Sequence, residues 1–142
     1  MVFQGMNFGA ILVAAVAAFM LGGLWYSPIL FANPWMVCHG YDPTNKAQME
    51  ELRKKSPAPI YISAFIASLI AAVILSRLFS ALLVHDVMRG VKIAVAVWLG
   101  FVATVQLTGT IAASKTMKLY FIDTGYQLVS YIIMGAILAA WR

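Results

Sequence analysis

The chain has very few charged residues for its length. Of its 142 residues, 11% are Asp, Glu, Lys or Arg and 63% are hydrophobic, whereas an average soluble domain has about 25% charged and about 45–50% apolar residues. A single domain of this size has too much surface to hide that many apolar side chains from water. The shortage of charge therefore excludes a soluble globular protein and a disordered chain, and it indicates an integral membrane protein.

Cysteine and catalytic motifs are equally scarce. Cys38 is the only cysteine, so an intrachain disulfide and a site built from several cysteines are excluded. The sequence has no Gly-rich phosphate loop, no HExxH or GxSxG motif and no pair of carboxylates at acid–base spacing. We therefore predict no catalytic residues, no cofactor and no metal ion. The net charge of +5 comes from ten Lys and Arg in a chain with few charges, which suits an anionic membrane surface rather than nucleic acid.

Long uncharged apolar runs are what the sequence has in abundance. A transmembrane helix needs about 20 predominantly apolar residues. We predict four such helices in a single domain over 1–142, at residues 8–31, 60–84, 91–113 and 119–141, with both termini on one side. Ser27-Pro28 is expected to bend or end the first of them. The runs are uniformly apolar, unlike the alternating strands of a β-barrel. The predicted fold is an all-α, integral membrane four-helix bundle.

The polar connection 32–59 is the only sizeable segment between the spans. Asp42-Pro43 has the pattern of an N-cap followed by the first helical residue, which predicts a short helix over 44–56. We expect this helix to lie at the membrane interface, with a solvated helix that does not touch the membrane as the alternative. The side chains available for lipid contact are Trp35, Met36, Met49 and Leu52.

The distribution of Lys and Arg favours one orientation. The side of the first and third connections carries Lys46, Arg53, Lys54, Lys55, Lys115 and Lys118. The opposite side carries Arg77, Arg89, Lys92 and Arg142. Because basic residues accumulate on the cytoplasmic side of a membrane protein, we expect the long connection in the cytoplasm and both termini outside.

Small residues recur at four-residue spacing in three of the predicted spans. Such rows follow one helix face and let helix backbones approach closely. The rows are Ala10, Ala14, Ala18 and Gly22; Ala64, Ser68, Ala72, Ser76 and Ser80; and Ala96, Gly100, Thr104, Thr108 and Ala112. They predict tight helix packing, with the partner helix either in the same chain or in another.

Polar side chains near the ends of three spans define a candidate site. Asp123 is the only acidic residue within a predicted span, and ionisable residues inside a membrane are costly enough to suggest a function. Antiparallel threading places polar residues of spans one, three and four in the same half of the membrane. The candidate polar cluster is Trp25, Tyr26, Ser27, Gln106, Thr110, Asp123, Tyr126 and Gln127. Interhelical hydrogen bonding, or contact of Asp123 with headgroup water, is the structural alternative.

The end of span one is expected to pack on span four. Trp25 and Tyr26 suit an interfacial aromatic belt, and Pro28 frees a backbone carbonyl that another group must satisfy. We expect Gly125 to let the turn approach span four closely. Either Tyr26 or Tyr126 would then donate its hydroxyl to the freed carbonyl.

Three stretches of sequence together resemble one bacterial family. They are residues 24–31 (Leu-Trp-Tyr-Ser-Pro-Ile-Leu-Phe) with Pro34-Trp35-Met36, residues 97–101 (Val-Trp-Leu-Gly-Phe), and residues 125–129 (Gly-Tyr-Gln-Leu-Val) leading to residues 134–138 and Trp141. In this order, on a four-span chain, they resemble the integral membrane family called domain of unknown function 1761. The resemblance covers essentially the whole chain and implies a bacterial inner-membrane protein without an established activity, substrate or cofactor. The connection 114–118 lacks the acidic residue expected there in this family.

The predicted function is that of a non-enzymatic membrane component, either a homo-oligomer or an accessory subunit of a larger complex. Its partners would be the lipid bilayer and other membrane chains, and not nucleic acid. The alternative is a small-solute channel or transporter, which would have to be oligomeric because four spans are too few for a typical midplane site. Its lining would be Gln106, Thr110, Asp123 and Gln127.

Overall fold

Helices make up the regular secondary structure of the described part of the chain. The computed structural model describes residues 7–42, 44–55 and 58–141, and no strand occurs among them. The helices are α1 (Phe8–Trp25), α2 (Ala32–Cys38), α3 (Lys46–Lys54), α4 (Ala58–Ala81), α5 (Val87–Val97), α6 (Thr104–Ala112) and α7 (Met117–Ala140). A π-helical segment, Trp98–Ala103, joins α5 to α6 without a break. The prediction of an all-α chain is confirmed.

Four helices in the described ranges are long and apolar enough to cross a membrane: α1, α4, the continuous helix Val87–Ala112 and α7. At about 1.5 Å per residue, the 24 residues of α4 or of α7 extend about 36 Å. This length exceeds the hydrocarbon core of a bilayer, which is about 30 Å thick. The 18 residues of α1 extend about 27 Å, slightly less than this thickness.

Helix α1 ends at Trp25, before the apolar run ends at residue 31, because Pro28 cannot continue it. The expectation that Ser27-Pro28 bends or ends this span is confirmed. Proline has no N–H for the carbonyl of Leu24, which accepts the Ser27 hydroxyl at 2.6 Å instead. The chain then turns, and the N–H of Phe31 returns to the carbonyl of Trp25 at 3.0 Å. Helix α2 follows directly, in a connection for which the sequence predicted only the later helix α3.

Helix α3 is shorter than the predicted helix 44–56 and has a different cap. It covers Lys46–Lys54, and the Asn45 side chain accepts the backbone N–H of Gln48 at 3.2 Å. Asn is among the residues preferred at this position because its side-chain oxygen satisfies an otherwise unpaired N–H. The prediction of Asp42 as the N-cap is therefore wrong.

Asp42 closes a local turn instead. Its carboxylate accepts the hydroxyl of Thr44 at 2.7 Å and the backbone N–H of Thr44 at 2.9 Å. Asp side chains commonly bond the backbone two residues further on, and here that bond uses the oxygen that would have capped a helix. These bonds from Thr44 hold the pKa of the Asp42 carboxyl below its usual range. Pro43, which we predicted as the first helical residue, lies outside the described residues.

Helix α7 is the central helix. It packs against α1 on one side and against α5 on the other, and α1 also packs against α4. The small residues of α1 point into this core, which is composed mainly of α1, α4 and α7 side chains. Its fully buried members include Ala10, Ala14, Ala18, Ala72, Leu75, Phe79 and Leu138. The small-residue rows of α1 and α4 are thus used, at least in part, for packing within the chain.

The third small-residue row has a different environment. We call Ala96, Gly100, Thr104, Thr108 and Ala112 the outer row, since all five residues are exposed. A Cβ placed on Gly100 would meet no atom within 4 Å. The outer row therefore has no packing partner in the described part of the chain.

Helices α5 and α7 approach each other closely at two glycines. A Cβ on Gly90 would lie 2.6 Å from the Cβ of Ala139, and a Cβ on Gly135 would lie 2.8 Å from the Cβ of Ala94. No real Cβ contact is that short, so only glycine allows the two backbones to approach this closely. The sequence-based rows included neither glycine.

Candidate functional site

Trp25 attaches the end of α1 to α7. Its indole Nε1 donates a hydrogen bond to the backbone carbonyl of Ile122 at 3.0 Å. A Cβ on Gly125 would lie 3.3 Å from the indole ring, so the glycine lets the ring lie directly against the backbone of α7. The expectation that the end of span one packs closely on span four at Gly125 is confirmed.

Tyr26 reaches the one acidic side chain of α7. Its hydroxyl donates to Oδ1 of Asp123 at 2.7 Å. An ionised carboxylate can only accept hydrogen bonds, and a bond with an ionised acceptor is stronger than one between neutral groups. Because both side chains are partly buried, this bond satisfies a carboxylate that would be costly in an apolar environment.

Tyr126 makes a second connection between α7 and α1. Its hydroxyl donates to the backbone carbonyl of Ala18 at 2.9 Å. Its ring packs edge-on against Tyr26, with 5.5 Å between ring centroids. A Cβ on Gly22 would lie 3.0 Å from the Tyr126 hydroxyl oxygen, so Gly22 leaves the space that the phenol occupies. Gly22 therefore makes room for a side chain of α7 and not for the backbone of a neighbouring helix.

The expectation that a tyrosine hydroxyl satisfies the carbonyl freed by Pro28 is wrong. That carbonyl belongs to Leu24, and Ser27 is its donor. Ser27 is only three residues from Leu24, so its hydroxyl reaches the carbonyl locally, as serine side chains often do. Tyr26 and Tyr126 are left to connect α1 with α7.

Helix α2 completes the cluster. Trp35 packs edge-on against Tyr26 with 6.2 Å between ring centroids, and the His39 ring lies 4.2 Å from that of Trp35. His39 follows the last residue of α2, and α2 packs against α7, the helix that carries Asp123. The Nε2 atom of His39 is buried, and no hydrogen-bond partner for it occurs among the described residues.

The predicted cluster omitted both Trp35 and His39. The two are four residues apart, which places them on one face of a helix. That signal becomes useful only once α2 is recognised as a helix, and at seven residues α2 is too short for hydrophobic periodicity to reveal it.

Two hydrogen bonds fix the register between the third span and α7. The indole Nε1 of Trp98 donates to the carbonyl of Thr124 at 3.0 Å. The Tyr120 hydroxyl donates to the carbonyl of Ala103 at 2.9 Å. Ala103 is the last residue of the π-helical segment, so Tyr120 bonds the third span where this segment passes into α6.

This register keeps part of the predicted cluster apart. Gln106 follows Ala103 by three residues and therefore lies opposite the first residue of α7, about 9 Å along that helix from the level of Asp123. Thr110 lies one further turn away. The amide oxygen of Gln106 is buried and finds no hydrogen-bond partner in the ranges that the structure describes.

The structure thus divides the candidate residues into two groups. One group connects the end of α1, helix α2 and the second turn of α7, and it consists of Trp25, Tyr26, Trp35, His39, Asp123 and Tyr126. Ser27 lies beside it and bonds its own turn, and Gln127 is partly buried one turn beyond Asp123 on α7. Gln106 and Thr110 form the other group on α6.

The first group is equipped to hold helices together. The hydroxyls of Tyr26 and Tyr126 and the indole N–H of Trp25 all donate across elements. Among the described residues, no group of three or more His, Cys, Asp or Glu side chains is placed to hold a metal ion. The carboxylate of Asp123 is the acidic group of this cluster, and the Tyr26 hydroxyl is its hydrogen-bond donor.

Comparisons with known proteins identify one family. No curated protein and no solved structure matches the chain. A family model described as a protein of unknown function (DUF1761) matches residues 9–139, a range that includes the Trp25–Gly125 contact and the whole cluster. Because the match covers nearly the whole chain, the resemblance found in the sequence is confirmed: the chain belongs to the DUF1761 family of proteins of unknown function.

Proposed function

We propose that this protein is a non-enzymatic, multi-pass component of a bacterial inner membrane, with α1, α4, α5–α6 and α7 forming a four-helix bundle across the bilayer. The length and apolar character of these helices support the proposal. So do the large side chains on the outside of α4, where Ile62, Ile66 and Ile70 are 50–59% exposed. Such a surface is unfavourable in water and suits lipid chains.

The proposed orientation places the long connection in the cytoplasm and both termini outside. The basic residues of this connection, including Arg53 and Lys54 in the last turn of α3, support it through their preference for the cytoplasmic side. Helix α3 then lies at the interface. Its least exposed apolar residues, Met49 and Leu52, give it a face for the headgroup region.

The main functional proposal is self-association of the protein through the outer row. In lipid, helices associate where small residues let their backbones approach. The outer row offers this surface while the rows of α1 and α4 contribute to the core of the chain. The exposure of all five outer-row residues is the single observation that carries the proposal. Two copies of the chain meeting along this row would form a homo-oligomer.

The backbone of the third span supports the same surface. A π-helical turn contains more residues than an α-helical turn, so it offsets the drift of a four-residue spacing and keeps the outer row on one side. The Thr104 hydroxyl donates to the carbonyl of Gly100 at 2.8 Å. The Thr108 hydroxyl likewise donates to the carbonyl of Thr104, at 3.5 Å, so both hydroxyls of the row bond within their own helix.

A solute pathway through the polar residues is the weaker proposal. It requires Gln106, Thr110, Asp123 and Gln127 to line one route. The carboxylate of Asp123 is bonded to Tyr26, and the register places Gln106 about 9 Å away along α7. The cluster therefore favours attachment of α1 and α2 to α7 over passage of a solute.

Native mass spectrometry of protein extracted in a mild detergent tests the proposal. The test compares the wild type with Gly100→Leu and with Gly23→Leu. The two glycines are matched, since a Cβ on either would meet no atom within 4 Å, so both added side chains start in open space. Gly100→Leu places bulk in the outer row and is expected to weaken association at least about tenfold, which corresponds to about 1.4 kcal/mol.

The outcomes separate self-association from other possibilities. We expect dimers or larger assemblies for the wild type and for Gly23→Leu, and mainly monomers for Gly100→Leu. A wild-type protein that stays monomeric at every concentration would contradict the proposal. Equal loss of association in both variants would place the interface elsewhere.

A further inference from the structure

A groove of about 570 Å³ lies beside Trp25. Its walls come from the turn between α1 and α2 and from the first turns of α7. The residues that line it are Trp25, Phe31, Pro34, Lys118, Phe121 and Ile122. All but one of these side chains are apolar or aromatic. The groove therefore suits an apolar ligand that also carries one charged group.

Lys118 provides the charge at this groove. It is exposed and lies in the first turn of α7, where no acidic residue accompanies it. No ion pair engages its ammonium group within the described ranges. The N-terminus of a helix is itself the positive end of the helix dipole, so Lys118 adds a positive charge where the helix already favours a negative one. An anion at Lys118 would relieve this repulsion.

We propose that the groove binds one acyl chain of an anionic phospholipid, whose phosphate pairs with Lys118. The volume falls within the range of about 300–1,000 Å³ that is typical of ligand pockets. Basic residues next to a transmembrane helix attract anionic headgroups, and the lining beyond Lys118 accepts a hydrocarbon chain. This inference rests on the proposed membrane location, but it does not depend on self-association.

The position of the groove gives the lipid a structural effect. With the long connection in the cytoplasm, the groove opens to the leaflet that carries most of the anionic lipid. One wall is the indole of Trp25, whose Nε1 bonds to α7, and another is Phe121, which is 65% exposed. An acyl chain in the groove would cover both rings. The lipid would thereby support the attachment of α1 to α7.

Photolabelling in nanodiscs tests this proposal. The protein is reconstituted at one copy per disc, and each disc contains either phosphatidylglycerol or phosphatidylcholine with the same diazirine-bearing acyl chain. Labelled peptides are identified by mass spectrometry. We expect the peptides of Phe31 and Phe121 to be labelled about fivefold more by phosphatidylglycerol, as one basic residue at the membrane surface allows. The lipid-facing residues Ile62 and Ile66 of α4 should show no such preference.

Two matched variants identify the source of the preference. Lys118→Gln should reduce the labelling ratio of the two lipids to about one, because it removes the charge that lines the groove. Lys115→Gln removes an equal charge at the same end of the molecule from a residue that does not line the groove, and it should keep the preference. Thermal unfolding confirms that both variants are folded.

Three results would overturn the proposal. They are labelling of the groove no stronger than that of α4, equal labelling by the two lipids in the wild type, and an unchanged preference in Lys118→Gln. The last result would show that Lys118 is not the source of the preference. Because each disc holds one copy, none of these results depends on whether the outer row mediates self-association.

Discussion

Gly90 and Gly135 determine how closely α5 approaches α7. Adding one methyl group in Gly90→Ala would place it 2.6 Å from the Cβ of Ala139. Both atoms belong to packed helices, so the helices must separate, and we expect a loss of about 1–3 kcal/mol in the free energy of unfolding. Unfolding of purified protein in mixed micelles measures the loss. The control is Gly23→Ala, where nothing lies within 4 Å of the added methyl group; equal stability of the two variants would contradict the crossing.

The hydrogen bond between Tyr26 and Asp123 can be tested with a double-mutant cycle. Tyr26→Phe leaves a partly buried carboxylate without its donor and should cost about 1–2 kcal/mol. In an Asp123→Asn background the acceptor is neutral, and the same change should cost less, giving a coupling energy of about 1 kcal/mol. The control Tyr61→Phe removes a hydroxyl from a residue that is 52% exposed and should have little effect. A coupling energy of zero would show that the two groups do not interact.

Helices α1, α4, α5–α6 and α7 could be predicted from the sequence because each is a long apolar run bounded by polar residues or proline. Hydrophobicity alone would extend α1 through Ile29 and Leu30, and the end of the helix could be predicted only from Ser27-Pro28. Helix α2 was not predicted at all. Its seven residues are too few to show helical periodicity.

The candidate site could be predicted from the sequence only in part. The contact of Trp25 with Gly125 follows from antiparallel threading, which places the two in one half of the membrane. The separation of Gln106 from Asp123 depends on register, which is set by the hydrogen bonds of Trp98 and Tyr120. Side-chain contacts of this kind cannot be derived from the spacing of residues within one helix. The contribution of His39 was not predictable without α2.

The cap of α3 provides a test at the scale of one element. Asn45→Ala should increase amide hydrogen exchange in the first turn of α3 about fivefold, since the loss of an N-cap costs about 1 kcal/mol. Asp42→Ala should leave exchange in α3 unchanged and affect only the turn at Thr44, whose N–H bonds to Asp42. Fraying of α3 in Asp42→Ala and not in Asn45→Ala would restore the sequence-based cap and contradict the structure.

The whole molecule is organised around α7. Helices α1 and α5 pack on its two sides, and α4 packs on α1. The small residues of α1 and part of the α4 row are used inside this arrangement, and Gly90 and Gly135 bring α5 against α7. Of the three predicted rows, the outer row is the one whose residues are all exposed. Small residues of α1 and α4 pack within the chain, whereas those of the outer row stay exposed, and this contrast is the physical basis for proposing self-association.

Disulfide crosslinking in native membranes tests the central claim, self-association along the outer row, most directly. The background variant is Cys38→Ser, whose hydroxyl still offers an acceptor to Thr116, which donates to the Cys38 sulfur in the wild type. Into this background, Gly100→Cys and the equally unobstructed Gly23→Cys are introduced separately. Our account predicts a crosslinked dimer for Gly100→Cys and no dimer above background for Gly23→Cys. Only monomer for Gly100→Cys, or equal dimer bands for both variants, would contradict it.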